Sequence, residues 1–296
     1  MDTVQQQVVD ARTKTLVNTV RDIEYPLATM ADLDPLMERI GDANYVLLGE
    51  ASHGTSDYYT WRARLSQRLI QEKDFSFIAV EGDWPDCYQL NRYVKGNSEG
   101  EDAYEVLEAF RRWPTWMWAN WEVVALAEWL RDYNETFAHG RLPTQQIGFY
   151  GLDVYSLQDS IAAITQYLTD HGPDALNLVQ EAYRCFEPYG QDGQNYAWGT
   201  AMVPETCEDE VVRLLEELRR QAREAILEAD GDPEAAFNAK QNAWVVAEAE
   251  HYYRTMLRGS AASWNVRDHH MADSLHRLMA HYGPEAKAIV WEHNTH

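Results

Sequence analysis

The chain has 296 residues and a formal net charge of −23 at pH 7, with 48 acidic against 25 basic side chains. This charge argues against nucleic acid or an anionic membrane surface as a partner, because like charges repel. A hydrophobic content of 45% with 12% aromatic residues excludes bulk disorder, and no stretch approaches the ~20 apolar residues of a membrane span. Acidic, lysine-poor sequences suit a high-salt cytoplasm, and an ordinary acidic protein is the alternative.

Residues 1–42 are predicted to be mostly helical, with a turn near Tyr25 and Pro26. The first residues lack the basic and apolar regions of a secretion signal, so we expect a cytoplasmic protein. The three cysteines form no CxxC pair and cannot all be bridged, which argues against a disulfide framework. They are Cys87, Cys185 and Cys207.

Four short apolar runs, each followed by an acidic residue or a histidine, are predicted to be buried strands. They are residues 45–49 before Glu50, 76–80 before Glu81, 147–152 before Asp153, and 288–291 before Glu292 and His293. If these strands are parallel, their carboxyl ends meet at one edge of the sheet, where open α/β sheets bind ligands. Three carboxylates and a histidine would then share one cleft, which indicates an enzyme.

Helices are predicted between these strands. A helix over residues 55–71 joins the first two strands into a βαβ unit, and a helix over residues 121–137 precedes the third. Residues 156–281 carry helical patterns without a strand, with helices at 206–228, 234–257 and 264–281. The sequence therefore predicts an α/β fold, a three-layer α/β/α core with a mainly parallel sheet and a large helical lobe.

This order divides the chain into an α/β core over residues 1–160, a helical lobe over residues 161–281, and a last core strand within residues 282–296. A buried parallel strand needs helices on both faces of its sheet. Because the chain ends at His296, just after the last strand, we expect a shortened fold in which this strand lacks part of its cover.

A tryptophan-rich segment, residues 113–120, precedes the helix at 121–137. It contains Trp113, Trp116 and Trp118. We expect most of this segment in the core. The alternative is that these side chains line a pocket for a large apolar ligand.

The segment Glu50-Ala51-Ser52-His53-Gly54 directly follows the first strand and allows three chemistries. In the first, His53 is a general base, and a carboxylate from Glu50 or Glu81 fixes its tautomer. In the second, the cluster binds a metal ion; the possible ligands are Glu50, His53, Glu81, Asp153, His293 and His296. The third, with Ser52 as nucleophile, is the weakest, because the segment is one residue longer than the GxSxG elbow.

A buried arginine on the helix after His53 would bind a carbonyl oxygen or an oxyanion, because the guanidinium group stays charged. Arg62 and Arg64 follow His53 on one helix and point to different faces, so at most one of them reaches the cleft. We expect Arg64 at the surface. Arg267 and Asp268 are expected to begin a helix with Asp268 as its cap, and the two histidines that follow are expected to be exposed.

At these residues the sequence resembles the erythromycin esterase family. The resembling blocks are residues 50–55, 81–84, 114–118, 151–156, Arg267-Asp268 with Met271-Ala272, and Trp291-Glu292-His293-Asn294-Thr295-His296. They occur in the family's order and cover nearly the whole chain. The sequence departs from the family at Ser56, where many members have histidine, at Ala119, where many have arginine, and after His296, where members continue.

The resemblance implies an α/β/α core with a helical lobe, a wide cleft, and hydrolysis of a macrolactone ester, which inactivates macrolide antibiotics. It implies that His53 is the base that activates water, with Glu50 and Glu81 as its partners and Arg62 as an electrostatic helper. It further implies catalytic roles for His293 and His296, and substrate binding by Asp153, Trp116, Trp118 and Arg267. We expect a small-molecule ester as partner and no cofactor; the alternatives are a metal-dependent hydrolase and a shortened, non-catalytic member.

Overall fold

The computed structural model describes residues 3–98, 100–112, 114–171, 173–190, 193–202, 206–227, 233–257 and 260–296. The chain forms two compact units, residues 1–42 and 43–296. The first unit contains α1 (Thr3–Arg21) and α2 (Asp34–Ile40), preceded by a 3-10 turn at Met30–Leu33. Asp32 begins this turn by accepting the backbone N–H groups of Ala28 and Thr29, at 2.9 and 2.6 Å.

The second unit is built on four parallel strands. They are β1 (Tyr45–Glu50), β2 (Phe77–Asp83), β3 (Gly148–Asp153) and β4 (Ala288–His293). Their order in the sheet is β1-β4-β2-β3, and every pairing is parallel, which confirms the predicted α/β fold. The two strands of the predicted βαβ unit are not neighbours, because β4 lies between them. Strand order depends on long-range pairing, which local patterns do not record.

The last strand, β4, is buried on both faces, and residues 288–291 are at most 2% exposed. On one face, Ala288 and Val290 pack in the core with Phe77 of β2. On the other face, the indole N–H of Trp291 donates to Ser66 at 3.1 Å. The expectation that this strand lacks cover is therefore wrong. The exposed apolar surface of the sheet lies on β1, where Leu47 is 69% exposed.

The helices of this unit confirm the predicted helical lobe. Between the strands lie α3 (Ser56–Lys73), α4 (Trp84–Val94), α5 (Ala103–Glu108) and α6 (Trp121–Phe137). The lobe consists of α7 (Leu157–His171), α8 (Leu176–Phe186), α9 (Gly193–Met202), α10 (Glu208–Leu227), α11 (Pro233–Met256) and α12 (Ser260–Tyr282). Among the described residues from 154 to 287 there is no strand. The predicted divisions at residues 160 and 281 fall within one compact unit and stay predictions.

Side-chain caps explain where two of these helices, α5 and α6, begin. Asn120 accepts the backbone N–H of Val123 at 3.0 Å and begins α6. Asp102 accepts the backbone N–H of Glu105 at 2.8 Å and begins α5 in the same way. None of the helices in the described parts of the chain combines the length and the hydropathy needed to cross a bilayer.

The helical lobe has its own apolar core and a disulfide. The buried core side chains include Ile164, Leu168, Val179, Phe186, Leu214 and Val246. Cys185 at the end of α8 and Cys207 just before α10 are bonded, with their Cα atoms 5.8 Å apart. The sequence argued against a disulfide framework, and the structure contains this one bond, which the sequence did not predict. Packing of the lobe helices brings together two cysteines separated by 22 residues, which their spacing alone does not indicate.

Candidate active site

Polar side chains from β1, β2, β3 and β4 meet at the carboxyl edge of the sheet. The register pairs Glu50 of β1 with His293 of β4, and Asp83 of β2 with Asp153 of β3. All four residues are the last residues of their strands. The structure therefore brings three of the predicted strand-end residues, Glu50, Asp153 and His293, to one edge, together with Asp83, which was not predicted.

His53 lies on the turn between β1 and α3, and its side chain is 29% exposed. Its Nδ1 lies 2.6 Å from Oε1 of Glu50. An ionised carboxylate can only accept, so Nδ1 carries a proton and Nε2 of the neutral ring has a free lone pair. Nε2 lies 4.0 Å from Oε1 of Glu81. The basic nitrogen of His53 therefore faces a second carboxylate.

Glu50 is held on its other side by Arg62. Oε2 of Glu50 lies 2.8 Å from Nη2 of Arg62 in an ion pair of two buried side chains, with an angle unsuited to a hydrogen bond. The guanidinium group is enclosed by the rings of Tyr59 and Trp291, at 4.9 and 4.7 Å. Burial, and then the charge of Glu50, raise the pKa of Tyr59 to about 12. Arg62 therefore supports Glu50 from behind and is 5% exposed.

Glu81 accepts hydrogen bonds through both of its carboxylate oxygens. Its Oε1 accepts from Nη2 of Arg267 at 2.6 Å, and its Oε2 accepts from the backbone N–H of His293 at 2.9 Å. Arg267 also donates to both oxygens of Asp153, at 2.9 and 2.7 Å. Burial raises the pKa of Glu81, but hydrogen bonding with His296 and the charge of Arg267 outweigh burial and lower it to about 2. Glu81 is therefore an anion at neutral pH.

His296 is bonded at both ring nitrogens. Its Nδ1 lies 2.6 Å from Oδ1 of Asp268, and its Nε2 lies 2.9 Å from Nη1 of Arg267. Its ring stacks on Trp264, with centroids 4.8 Å apart and planes 3° from parallel. Burial lowers the pKa of His296, but the hydrogen bonds that the protonated ring donates to Glu81 and Asp268 outweigh burial and raise it.

Asp268 and Trp264 were not among the predicted site residues. The available signal was the position of Asp268 beside Arg267 in a block that resembles the family. The expectation that Asp268 caps a helix is wrong, because α12 begins at Ser260 and Asp268 lies in its interior. His270 was expected to be exposed but is 1% exposed, and this burial lowers its pKa to about 4.

His293 lies beside His53, with the two ring centroids 5.1 Å apart. The backbone N–H of Thr295 donates to Nδ1 of His293 at 3.3 Å, and the Thr295 hydroxyl oxygen lies 2.9 Å from the same atom. Nδ1 is therefore an acceptor, and the neutral ring carries its proton on Nε2. The His293 ring is therefore a hydrogen-bond donor beside the ring of His53.

The tryptophan segment divides between core and surface. Trp118 is 5% exposed and donates its indole N–H to the backbone carbonyl of Glu81 at 2.9 Å. Trp116 is 46% exposed and packs on Gly54, where an added Cβ would lie 2.6 Å from the ring. Trp116 therefore lies at the surface next to the turn that carries His53. Trp113 lies outside the described residues.

Further ionisable groups surround the site, and of these the sequence indicated only Glu292. Arg112 pairs with Asp83 and lies 3.8 Å from Asp153. Burial raises the pKa of Asp83 to about 6, and burial followed by the charge of Asp83 raises that of Asp86 to about 7. Burial also raises the pKa of Glu292 to about 7. The carboxyl groups of this edge therefore differ widely in proton affinity.

The metal alternative stays a prediction. Within the described ranges, no three side chains of His, Cys, Asp or Glu are arranged to hold a metal ion. The predicted ligands are held by protein groups instead, as His53 is by Glu50 and His296 is by Asp268.

The fold and the site together define an α/β protein with a cluster of histidines and carboxylates at the carboxyl edge of its sheet. The chain belongs to the erythromycin esterase family, whose model matches residues 70–296. One curated relative, the erythromycin esterase type II of Escherichia coli, is 22% identical over 297 residues, with 93% of this chain and 65% of the relative covered. The chain thus spans about two thirds of that relative's length.

Three solved structures resemble the chain. A succinoglycan biosynthesis protein has a TM-score of 0.69 and 26% identity, with 96% of this chain and 66% of that chain covered. A protein from Bacillus cereus has the same TM-score and coverage at 23% identity. A mutant of the erythromycin esterase EreC in its open conformation has a TM-score of 0.63 at 20% identity, with 92% of this chain and 65% of that chain covered. These likenesses confirm the fold.

Proposed function

We propose that this protein is a hydrolase that cleaves a carboxylic ester with water activated by His53. The observation that carries the proposal is the 2.6 Å contact between Nδ1 of His53 and Oε1 of Glu50, which leaves Nε2 as a base on a partly exposed ring. Membership of the erythromycin esterase family supports the reaction class. The name of the curated relative points to a macrolactone as the ester.

The water site lies between Nε2 of His53 and Oε1 of Glu81. These atoms are 4.0 Å apart, so one water molecule can hydrogen-bond to both. Nε2 removes one proton from this water while its oxygen attacks the carbonyl carbon of the ester. Glu81 accepts the second O–H and orients the attacking oxygen, and Glu50 stabilises the imidazolium ion that forms.

The oxyanion of the tetrahedral intermediate needs a donor in the cleft. Arg62 is enclosed between two rings and already pairs with Glu50, so its role is to hold that carboxylate in place. His293 presents an Nε2–H beside His53. The proposal therefore assigns the oxyanion to His293 and not to Arg62.

The intermediate collapses when the bond from the carbonyl carbon to the alcohol oxygen breaks. The leaving oxygen takes the proton held on His53, which returns the ring to its neutral state. Trp116, exposed beside this turn, supplies an aromatic surface for an apolar part of the substrate. Trp118, Asp153 and Arg267, predicted to bind substrate, are buried; the proposal assigns them to holding Glu81.

The test is steady-state hydrolysis of p-nitrophenyl butyrate and of erythromycin by the purified chain. His53→Asn is expected to lower kcat by about 100- to 10,000-fold, the usual contribution of a general base. His269→Asn, an exposed histidine of α12, is the control and should keep its activity. Absence of turnover on both esters, or near-full activity of His53→Asn, would contradict the proposal. Metal in the purified protein together with inhibition by a chelator would favour the metal-dependent alternative.

A further inference from the structure

Two neighbouring residues of α12 hold the same histidine from opposite sides. Oδ1 of Asp268 lies 2.6 Å from Nδ1 of His296, and Nη1 of Arg267 lies 2.9 Å from Nε2. The Asp268 side chain is 39% exposed, whereas that of His296 is 3% exposed. Asp268 therefore reaches from the surface to a buried ring.

These two contacts determine which nitrogen of the neutral His296 ring carries the proton. An arginine N–H can only donate, so in the neutral ring Nε2 accepts from Arg267 and does not donate to Glu81. Nδ1 then carries the proton and donates it to Asp268. The opposite tautomer would set an N–H against the guanidinium group and a lone pair against the carboxylate, two repulsive contacts at once.

A third contact holds the plane of the ring. Trp264 stacks on His296 with the two planes 3° from parallel. Trp264 lies four residues before Asp268, so both project from the same face of α12. The ring is thereby held at both nitrogens and across one face.

The His296 ring is connected to the proposed water site through Arg267. Nη1 of Arg267 donates to His296, and its Nη2 donates to Oε1 of Glu81 at 2.6 Å. Nε2 of His296 is itself 3.5 Å from that same Oε1. Oε1 of Glu81 is the atom that faces Nε2 of His53 at 4.0 Å.

We propose that Asp268 is a positioning residue, which selects the Nδ1–H tautomer of His296 and so holds Arg267 and Glu81 at the water site. This inference rests on the proposed ester hydrolysis. Asp268 touches neither the water nor the ester in this scheme. Its effect is on the orientation of Glu81, and a displacement on the order of 1 Å there is enough to lower the rate by about 100-fold.

The test uses Asp268→Leu, which removes the acceptor, and Asp268→Asn, which keeps an acceptor oxygen without the charge. Asp273→Asn, an exposed acid on the same helix, is the control. The first readout is the tautomer of His296, from two-bond nitrogen–proton NMR of the histidine rings, assigned with His296→Gln. At a pH high enough for the ring to be neutral, we expect the Nδ1–H form in the wild type and in Asp273→Asn, and its loss in Asp268→Leu.

The second readout is kcat and KM on p-nitrophenyl butyrate. We expect Asp268→Leu to lower kcat by about 10- to 100-fold with KM within about twofold, Asp268→Asn to lose less, and Asp273→Asn to be unchanged. An unchanged tautomer or an unchanged kcat in Asp268→Leu would overturn the inference. If Asp268→Leu does not fold, the His296 tautomer and kcat of Asp268→Asn test the inference instead. A wild type without ester turnover contradicts the proposed function, and the NMR readout then decides separately whether Asp268 selects the tautomer.

Discussion

The carboxylate of Glu50 bonds His53 through one oxygen, at 2.6 Å, and pairs with a buried arginine through the other. The two residues are three positions apart, at the end of β1 and on the turn that follows it. This contact links the base of the proposed reaction to the core of the sheet. The same carboxylate therefore serves both the chemistry and the stability of the fold.

Replacing Glu50 by Gln should separate these two effects. The amide can donate to Nδ1 of His53, which would leave the proton on Nε2 and remove the base, so we expect kcat to fall by about 100- to 10,000-fold. Arg62 would also lose its buried partner, at a cost of about 3–5 kcal/mol in the free energy of unfolding. Ester turnover and urea unfolding measure the two effects. Glu72→Gln, which breaks the surface pair with Arg68, is the control and should cost at most about 1 kcal/mol.

Gly54 is expected to tolerate no side chain, because its φ is +79° and the ring of Trp116 occupies the Cβ position. Gly54→Ala should displace Trp116 and raise KM for esters with a large apolar group, with a loss of stability. Gly140→Ala is a matched control, since its φ is +73° but no atom lies within 4 Å of the added Cβ. Equal effects of the two substitutions on KM would show that the contact with Trp116 does not matter. Urea unfolding and steady-state kinetics are the measurements.

The disulfide between Cys185 and Cys207 should stabilise the helical lobe. Closing a loop of this length constrains the unfolded chain by about 3 kcal/mol. The double variant Cys185→Ser and Cys207→Ser should therefore unfold at a lower temperature, and a thiol reductant should lower the wild type to the same value. If the reductant lowered the double variant as well, its effect would not come from this bond.

Stability should depend on pH through Asp86. Burial, and then the charge of Asp83, raise the pKa of Asp86 to about 7, so the folded protein holds a proton that the unfolded chain releases near pH 4. This contribution to stability is complete below about pH 4 and is lost as the pH rises through about 7. Asp86→Asn should therefore gain stability relative to the wild type between about pH 5 and pH 8. Denaturant unfolding across this range measures it, with Asp132→Asn, exposed on α6, as the control.

Much of the secondary structure follows from local patterns. The helix predicted over residues 121–137 has those bounds in the structure, and the four apolar runs are the four strands. The spacing of apolar residues along the chain indicates which face of a helix or strand is buried, and this spacing differs between helices and strands. The contact of His53 with Glu50 belongs to this local part, because both residues lie on one strand end and its turn.

Contacts between distant elements follow only from packing. Arg267 contacts Glu81, which lies 186 positions earlier in the sequence. Strand β4 lies in the sheet between β1 and β2, which come much earlier in the chain. The bond of Cys207 to Cys185 and the contact of His296 with Asp268 likewise depend on how the lobe helices pack. A sequence lists which groups can form such bonds, whereas the free energy of the whole packed core determines which of them meet. The strand ends and their chemistry were therefore determined by the sequence itself, and the partners that hold Glu81 and His296 were decided by the tertiary structure.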